Sequence, residues 1–65
     1  MQSFKDYREA HTAAVLLAQQ LGREVGILKA KEYTSTVFQV MHLPRPENRY
    51  GLELRCEVVG PTDPI

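Results

Sequence analysis

The sequence predicts an α+β fold in which one N-terminal helix packs on a three-stranded antiparallel β-meander (αβββ). Up to Gly22 the hydrophobic residues recur every three or four positions, and after it they recur every second position. Three segments with this second pattern are separated by short polar connections, as expected for consecutive strands. The chain has 65 residues, near the lower size limit for a domain that folds alone. We expect residues 1–59 to form this single domain and residues 60–65 a flexible C-terminal tail.

The helix is predicted from residue 4 to residue 21. Ser3 and Asp6 have the spacing of a capping box, and Gly22 is suited to the C-cap. Between them runs an apolar stripe, which should face the sheet. The stripe consists of Phe4, Tyr7, His11, Ala14, Ala18 and Leu21, flanked by Ala10, Val15 and Leu17, whereas Ala13 and Leu16 fall on the opposite face.

The strands are predicted at residues 24–31, 34–43 and 50–59, with a short link at 31–33 and a loop at 44–49. In each strand, alternate side chains should point to opposite faces of the sheet. On the first two strands, the expected helix-facing residues are Val25, Ile27, Phe38 and Val40, and those of the other face are Gly26, Leu28, Ala30, Val37, Met41 and Leu43. On the third strand, the expected inward residues are Leu52, Leu54, Cys56 and Val58.

One sheet face should remain without cover, because a single helix can pack on only one. Leu28, Val37 and Met41 are predicted to form an apolar patch there, and such patches often mark interfaces. The alternative is that these three side chains belong to the ordinary apolar part of a protein surface. A small core would gain stability from association, so the sequence favours a homodimer. A complex with a different protein is the alternative.

The loop HLPRPENRYG connects the second and third predicted strands. Its two prolines lack backbone donors, so strand pairing should stop near residue 43. We interpret the loop first as a connector and second as a contact surface for a protein partner. The contact residues proposed in it are Arg45, Arg49 and Tyr50, residue types that are enriched at binding hot spots.

Nucleic-acid binding is the alternative function, although the charge balance disfavours it. The chain carries eight basic and eight acidic residues, for a formal net charge of zero, whereas phosphate-driven binding usually needs a basic surface. The side chains that could contact phosphates or stack on bases are Lys29, Lys31, Tyr33, Arg45, Arg49 and Tyr50.

Catalysis is not expected. Cys56 is the one cysteine of the chain, and the predicted strand places it inward, where a thiol behaves as a small hydrophobe. His11 lies in the helical stripe and His42 next to a proline-containing loop, with no ligand-spaced partner near either. No phosphate-binding loop, dinucleotide fingerprint or nucleophile elbow occurs. The sequence therefore predicts no catalytic residue, no cofactor and no bound metal.

Localisation is predicted from the absence of two signals. The N-terminus lacks the basic and apolar regions of a signal peptide, and no apolar run is long enough for a membrane span. We expect a complete, small cytoplasmic protein that does not bind membranes. Its leading interpretation is a non-enzymatic accessory or regulatory protein, and the short chain would suit such a protein of a bacterium, phage or mobile element.

Overall fold

The computed structural model describes residues 2–65 and confirms the α+β class, with one helix packed on an antiparallel sheet. None of the helices in these residues is long and apolar enough to cross a membrane. The elements in chain order are strand β1 (Gln2–Phe4), helix α1 (Tyr7–Leu21), strands β2 (Val25–Glu32) and β3 (Ser35–His42), two 3₁₀ helices (Pro46–Asn48 and Leu52–Leu54) and strand β4 (Glu57–Val59).

The sheet is built around the β2–β3 hairpin and has the strand order β1-β3-β2-β4. Strand β1 pairs with residues 38–40 of β3, and β4 pairs with residues 25–27 of β2. The sheet thus contains an additional N-terminal strand, and β4 lies beside β2 rather than beside β3 as it would in a simple meander. Because both edge strands are short, the far half of the hairpin, residues 28–37, extends beyond them.

The helix begins at Tyr7, three residues later than predicted. The carboxylate of Asp6 accepts a hydrogen bond from the Arg8 backbone N–H at 3.1 Å, so Asp6 is the N-cap. Ser3 is extended and pairs with β3, and the predicted capping box is therefore wrong. The predicted C-cap is confirmed: Gly22 adopts the left-handed conformation with φ 69°, which glycine tolerates without steric cost.

The core lies between α1 and the sheet and is made of small side chains. The helix contacts the sheet along its alanines, so the buried face is rotated away from Tyr7 and Leu21, which are 41% and 39% exposed. Ala13, expected on the polar face, instead packs at the margin of the core. The core cluster consists of Ala10, Ala14, Val15 and Ala18 from the helix and Val25, Ile27, Val40 and Val59 from the sheet.

The third predicted strand is mostly wrong, since only residues 57–59 of 50–59 are extended. Tyr50 and Gly51 both have positive φ, 49° and 84°, and this pair turns the chain into the second 3₁₀ helix. The side-chain phase is also reversed, because Val59 and not Val58 reaches the core. Leu54, predicted inward, is 88% exposed.

The C-terminal residues fold back on the helix. The backbone N–H of Gly60 donates to the Asp63 carboxylate at 3.0 Å, and the side-chain amide of Gln19 donates to the Pro61 carbonyl at 3.4 Å. Residues 60–63 therefore make a turn stabilised by hydrogen bonds, and the flexibility expected for the tail 60–65 stays a prediction.

Gly26 is expected to tolerate no side chain. A Cβ atom there would lie 3.0 Å from the Cys56 Sγ and 3.2 Å from the Leu43 Cδ2, closer than van der Waals contact. We expect Gly26→Ala to lower the free energy of unfolding by about 1–3 kcal/mol, through overpacking, as measured by urea denaturation. Cys56→Ala removes the nearer atom, so part of this loss should be recovered in the double variant.

Gly60→Ala is the matched control, because a Cβ at Gly60 meets only the Glu24 side chain at 3.9 Å. Its stability should equal that of the wild type. If Gly26→Ala were as stable as Gly60→Ala, the close packing of Gly26 under Cys56 would be disproved.

Candidate functional site

The connection between β3 and β4 carries most of the candidate residues. It is longer than the predicted 44–49, because β4 begins only at Glu57. At its start Leu43 is 3% exposed and lies against Gly26, so the loop is anchored in the fold. Its two 3₁₀ helices then expose a run of polar and apolar side chains to solvent.

Arg49 links this loop to Glu24, the residue that precedes β2. Its Nε donates to the Pro44 carbonyl at 3.0 Å, and its Nη2 donates to the Glu24 Oε1, also at 3.0 Å. The Arg49 side chain is only 11% exposed, whereas that of Glu24 is 47% exposed. Arg49, predicted as a contact residue, thus has a structural role within the loop: its guanidinium holds two chain segments together.

Two shallow depressions lie on either side of Arg49. The first has a volume of about 460 Å³ and the second about 330 Å³, and both are lined by Pro44 and Arg49. The remaining lining of the first is Arg23, Glu24, Leu43, Arg45 and Pro46, and that of the second is Asn48, Tyr50, Leu52 and Arg55. We call the region formed by Arg23, Pro44, Arg45, Arg49, Tyr50 and Arg55 the arginine surface.

The arginine surface concentrates positive charge on a neutral protein. Four of the five arginines of the chain line its two depressions. Glu24 is the one acidic residue among the lining residues, and it is paired with Arg49. Within residues 2–65 the guanidinium groups of Arg45 and Arg55 form no hydrogen bond or ion pair.

Tyr50 presents its ring to solvent from a strained backbone position. It is 91% exposed, and its φ of 49° is unusual for a bulky residue. Tyr33, in the turn of the β2–β3 hairpin, shares both features, with φ 57° and 98% exposure. Both tyrosines lie in turns, which account for their positive φ, and it is the exposure of their rings that makes them candidates for contact with a partner.

The predicted apolar patch lies on one face of the hairpin, opposite to α1. In the register of the hairpin, Val37 pairs with Ala30, and Met41 pairs with Gly26. Leu28 and Met41 are half-buried, but Val37 is only 5% exposed. The structure therefore brings the three predicted residues to one face, which is less open than the sequence analysis expected.

The candidate catalytic residues are separated from one another. His11 is half-buried beside the Tyr7 ring, with a centroid distance of 5.9 Å, and His42 is exposed at the end of β3. In the range 2–65, no group of three His, Cys, Asp or Glu side chains could hold a metal ion.

Cys56 packs as a half-buried thiol, although not in the strand row predicted for it. Its Sγ–H donates to the Leu52 carbonyl at 3.5 Å. Burial raises the pKa of the thiol, and Glu53 raises it further, while Arg49 opposes the shift. A raised pKa keeps the thiol protonated at neutral pH, and the protonated form is a poor nucleophile.

Tyr7 and Glu57 form a contact that the sequence analysis missed. The Tyr7 hydroxyl lies 2.6 and 2.7 Å from the two carboxylate oxygens of Glu57, and the ring packs edge-on against Phe38 with a centroid distance of 5.4 Å. The hydrogen bond to Glu57, followed by burial and the charge of the same carboxylate, raises the pKa of Tyr7 to about 12. This contact joins the first turn of α1 to β4.

The six residues considered for nucleic-acid binding fall into two groups. Lys29, Lys31 and Tyr33 belong to the β2–β3 hairpin, while Arg45, Arg49 and Tyr50 belong to the loop. Arg23 and Arg55 also belong to the loop group, although neither was among the predicted contact residues. Arg23 follows the helix C-cap and Arg55 lies in the third predicted strand, and no local signal could have shown that the fold brings them to the same surface.

Comparison with known proteins gives no assignment: no protein-family model matches the chain, and no curated protein or solved structure is significantly similar to it.

The contact of Tyr7 with Glu57 is expected to make stability depend on pH in the alkaline range. Folding raises the pKa of Tyr7 from 10.0 to about 12, so the folded state favours the protonated phenol. The stabilisation is therefore complete below pH 10 and is lost as the pH rises from 10 to about 12. Urea denaturation at several pH values measures this loss.

The matched variant for this prediction is Tyr7→Phe, which keeps the ring and removes the hydroxyl. We expect it to be less stable by about 1 kcal/mol at neutral pH and to lose the tyrosinate absorbance component that titrates near pH 12. A variant with unchanged alkaline unfolding would contradict the role of this contact.

Loss of the Arg49 side chain is expected to free the loop without unfolding the domain. Arg49→Ala removes the hydrogen bonds to Pro44 and Glu24 and should reduce stability by about 1 kcal/mol. Hydrogen exchange should accelerate at residues 45–55 and stay unchanged in the middle of α1. Arg23→Ala is the control, because it removes an exposed arginine of the same surface. Equal rates of hydrogen exchange at residues 45–55 in the two variants would argue against the Arg49 contact.

Proposed function

We propose that this protein is a small non-enzymatic interaction module that forms a homodimer through the sheet face opposite to α1. We call this region the outer sheet face, and its central residues are Leu28, Ala30, Val37, Gln39 and Met41. The observation that carries the proposal is that these side chains are uncharged and share one face of adjacent strands, while the core cluster and α1 occupy the other face. Accessible apolar patches often mark interfaces, and Leu28, Ala30 and Met41 are partly accessible on this face.

The composition of the core supports association. The largest fully buried side chains are Val15, Val25 and Val59, and the helix contributes mainly alanines to the core. Burial of a valine side chain stabilises a protein by only about 1.5 kcal/mol, and a short chain has few such residues to bury. A second copy packed on the outer sheet face would add apolar burial that one chain cannot supply.

Pairing of faces is favoured over pairing of edges. The edge of β2 is open from residue 28 to residue 32, because β4 pairs only with residues 25–27. Antiparallel self-pairing centred on Ala30 would place Lys29 of one copy opposite Lys31 of the other, and like charges in such positions are destabilising. These lysines protect this part of the β2 edge, and the outer sheet face is the better of the two surfaces for a second copy.

The dimensions of the molecule agree with this choice. A standard interface covers about 800 Å² per partner, about one sixth of the 4700 Å² accessible surface of the chain. The Cα atoms extend over 34 × 26 × 17 Å, so a broad face offers this area more readily than the tip of a loop.

Met41→Glu is expected to convert the dimer into a folded monomer. Met41 is half-buried on the outer sheet face, so a carboxylate there stays hydrated in a monomer but would be desolvated in the interface. Sedimentation equilibrium at high micromolar concentration should give the dimer mass for the wild type and the monomer mass for the variant, with the same far-UV circular dichroism.

Leu16→Glu is the matched control, because Leu16 is 51% exposed on the helix and lies outside the outer sheet face. It should remain dimeric. A wild type that is monomeric at every concentration, or a Leu16→Glu variant that dissociates as Met41→Glu does, would refute the proposed interface.

A further inference from the structure

We propose that the arginine surface binds a short acidic segment of a partner protein. This inference goes beyond self-association, since it concerns the loop and not the outer sheet face. It stands on three features of the described residues: the concentration of arginines, the apolar residues between them, and the fixed conformation of the loop.

The charge of the surface identifies the ligand as anionic. Arg23 and Arg45 line one depression and Arg55 lines the other, with Arg49 between them. Because Glu24 is already paired with Arg49, three positive charges of the lining residues have no partner there. A guanidinium can bind a carboxylate with two parallel hydrogen bonds, so the free arginines are suited to the side chains of Asp and Glu.

Apolar residues between the arginines suit a peptide. Pro44 lines both depressions, Leu43 lies at the base of the first, and Leu52 is half-buried in the second. Tyr50 adds an aromatic ring that is 91% exposed. An interface with an apolar centre and charged side chains at its rim has this arrangement, and it fits a segment in which acidic and aliphatic residues alternate.

The loop holds this arrangement before a ligand binds. Pro44 and Pro46 restrict the backbone at its start, and the Arg49 side chain joins it to Glu24. Leu43 is buried and anchors the same segment. A surface that is already ordered loses less conformational entropy on binding, which favours affinity.

The limited size of the positive region favours a short segment over a nucleic acid. Glu47 and Glu53 are exposed in the same loop, and they would face the phosphates of any strand that extended along it. The chain as a whole is neutral, so it lacks the long-range attraction that drives binding to a polyanion. Two or three carboxylates, in contrast, match the unpaired arginines.

Fluorescence anisotropy with the full chain tests this proposal. The probe is a labelled peptide in which glutamates alternate with leucines and serines, compared with its glutamine counterpart and with a single-stranded oligonucleotide of the same charge. We expect the glutamate peptide to bind and the glutamine peptide not to bind. Arg45→Ala and Arg55→Ala should each weaken binding about tenfold, the loss expected for one charged hydrogen-bonded pair.

Arg8→Ala is the matched control, since Arg8 is an exposed arginine of α1 outside the arginine surface. It should bind the glutamate peptide as the wild type does, and circular dichroism should show that all three variants are folded. Absence of binding to the glutamate peptide, equal losses in all three variants, or tighter binding of the oligonucleotide would each overturn the proposal, the last by assigning the surface to nucleic acid.

Discussion

The close approach of α1 to the sheet along a row of alanines is the constraint on which the rest of the structure depends. Ala10, Ala14 and Ala18 are fully buried, and the sheet residues of the same core cluster are valines and one isoleucine, with Phe4 and Phe38 packed against it. Larger residues of the helix are displaced to its margins. Contacts at its two ends then fix the helix. The Tyr7 hydroxyl donates to Glu57 of β4, and the side-chain amide of Gln19 donates to the Pro61 carbonyl of the C-terminal turn.

The same constraint explains why the loop became a structured surface. The helix packs on one face of the sheet, so the end of the outer sheet face near Gly26 is closed by other residues. Leu43 and Cys56 pack there, and both belong to the connection between β3 and β4. Because its two ends are fixed in this way, the loop takes a defined path, and Arg49 completes the attachment through Glu24. The arginine surface is therefore a consequence of how the fold closes its sheet.

Local patterns predicted the parts of the fold that local interactions determine. The alternation in β2 and β3 and the left-handed glycine after the helix were predictable, because each depends on neighbours in sequence. The segment 50–56 was not, because it alternates as a strand does, whereas the positive φ of Tyr50 and Gly51 turns the chain into a 3₁₀ helix. The arginine surface was predictable only in part, because Arg23 and Arg55 reach it through contacts between distant segments.

The net charge of the whole chain also does not describe the charge of one surface. A formal charge of zero describes the whole chain, whereas a ligand responds to the potential of the surface that it contacts, and that potential weakens over about 8–10 Å at physiological ionic strength. Most arginines lie on one surface here. If two copies associate through the outer sheet face, each dimer carries two arginine surfaces. A partner with two acidic segments would then bind with an effective local concentration that a monomer cannot provide, so self-association and recognition by the loop would reinforce each other.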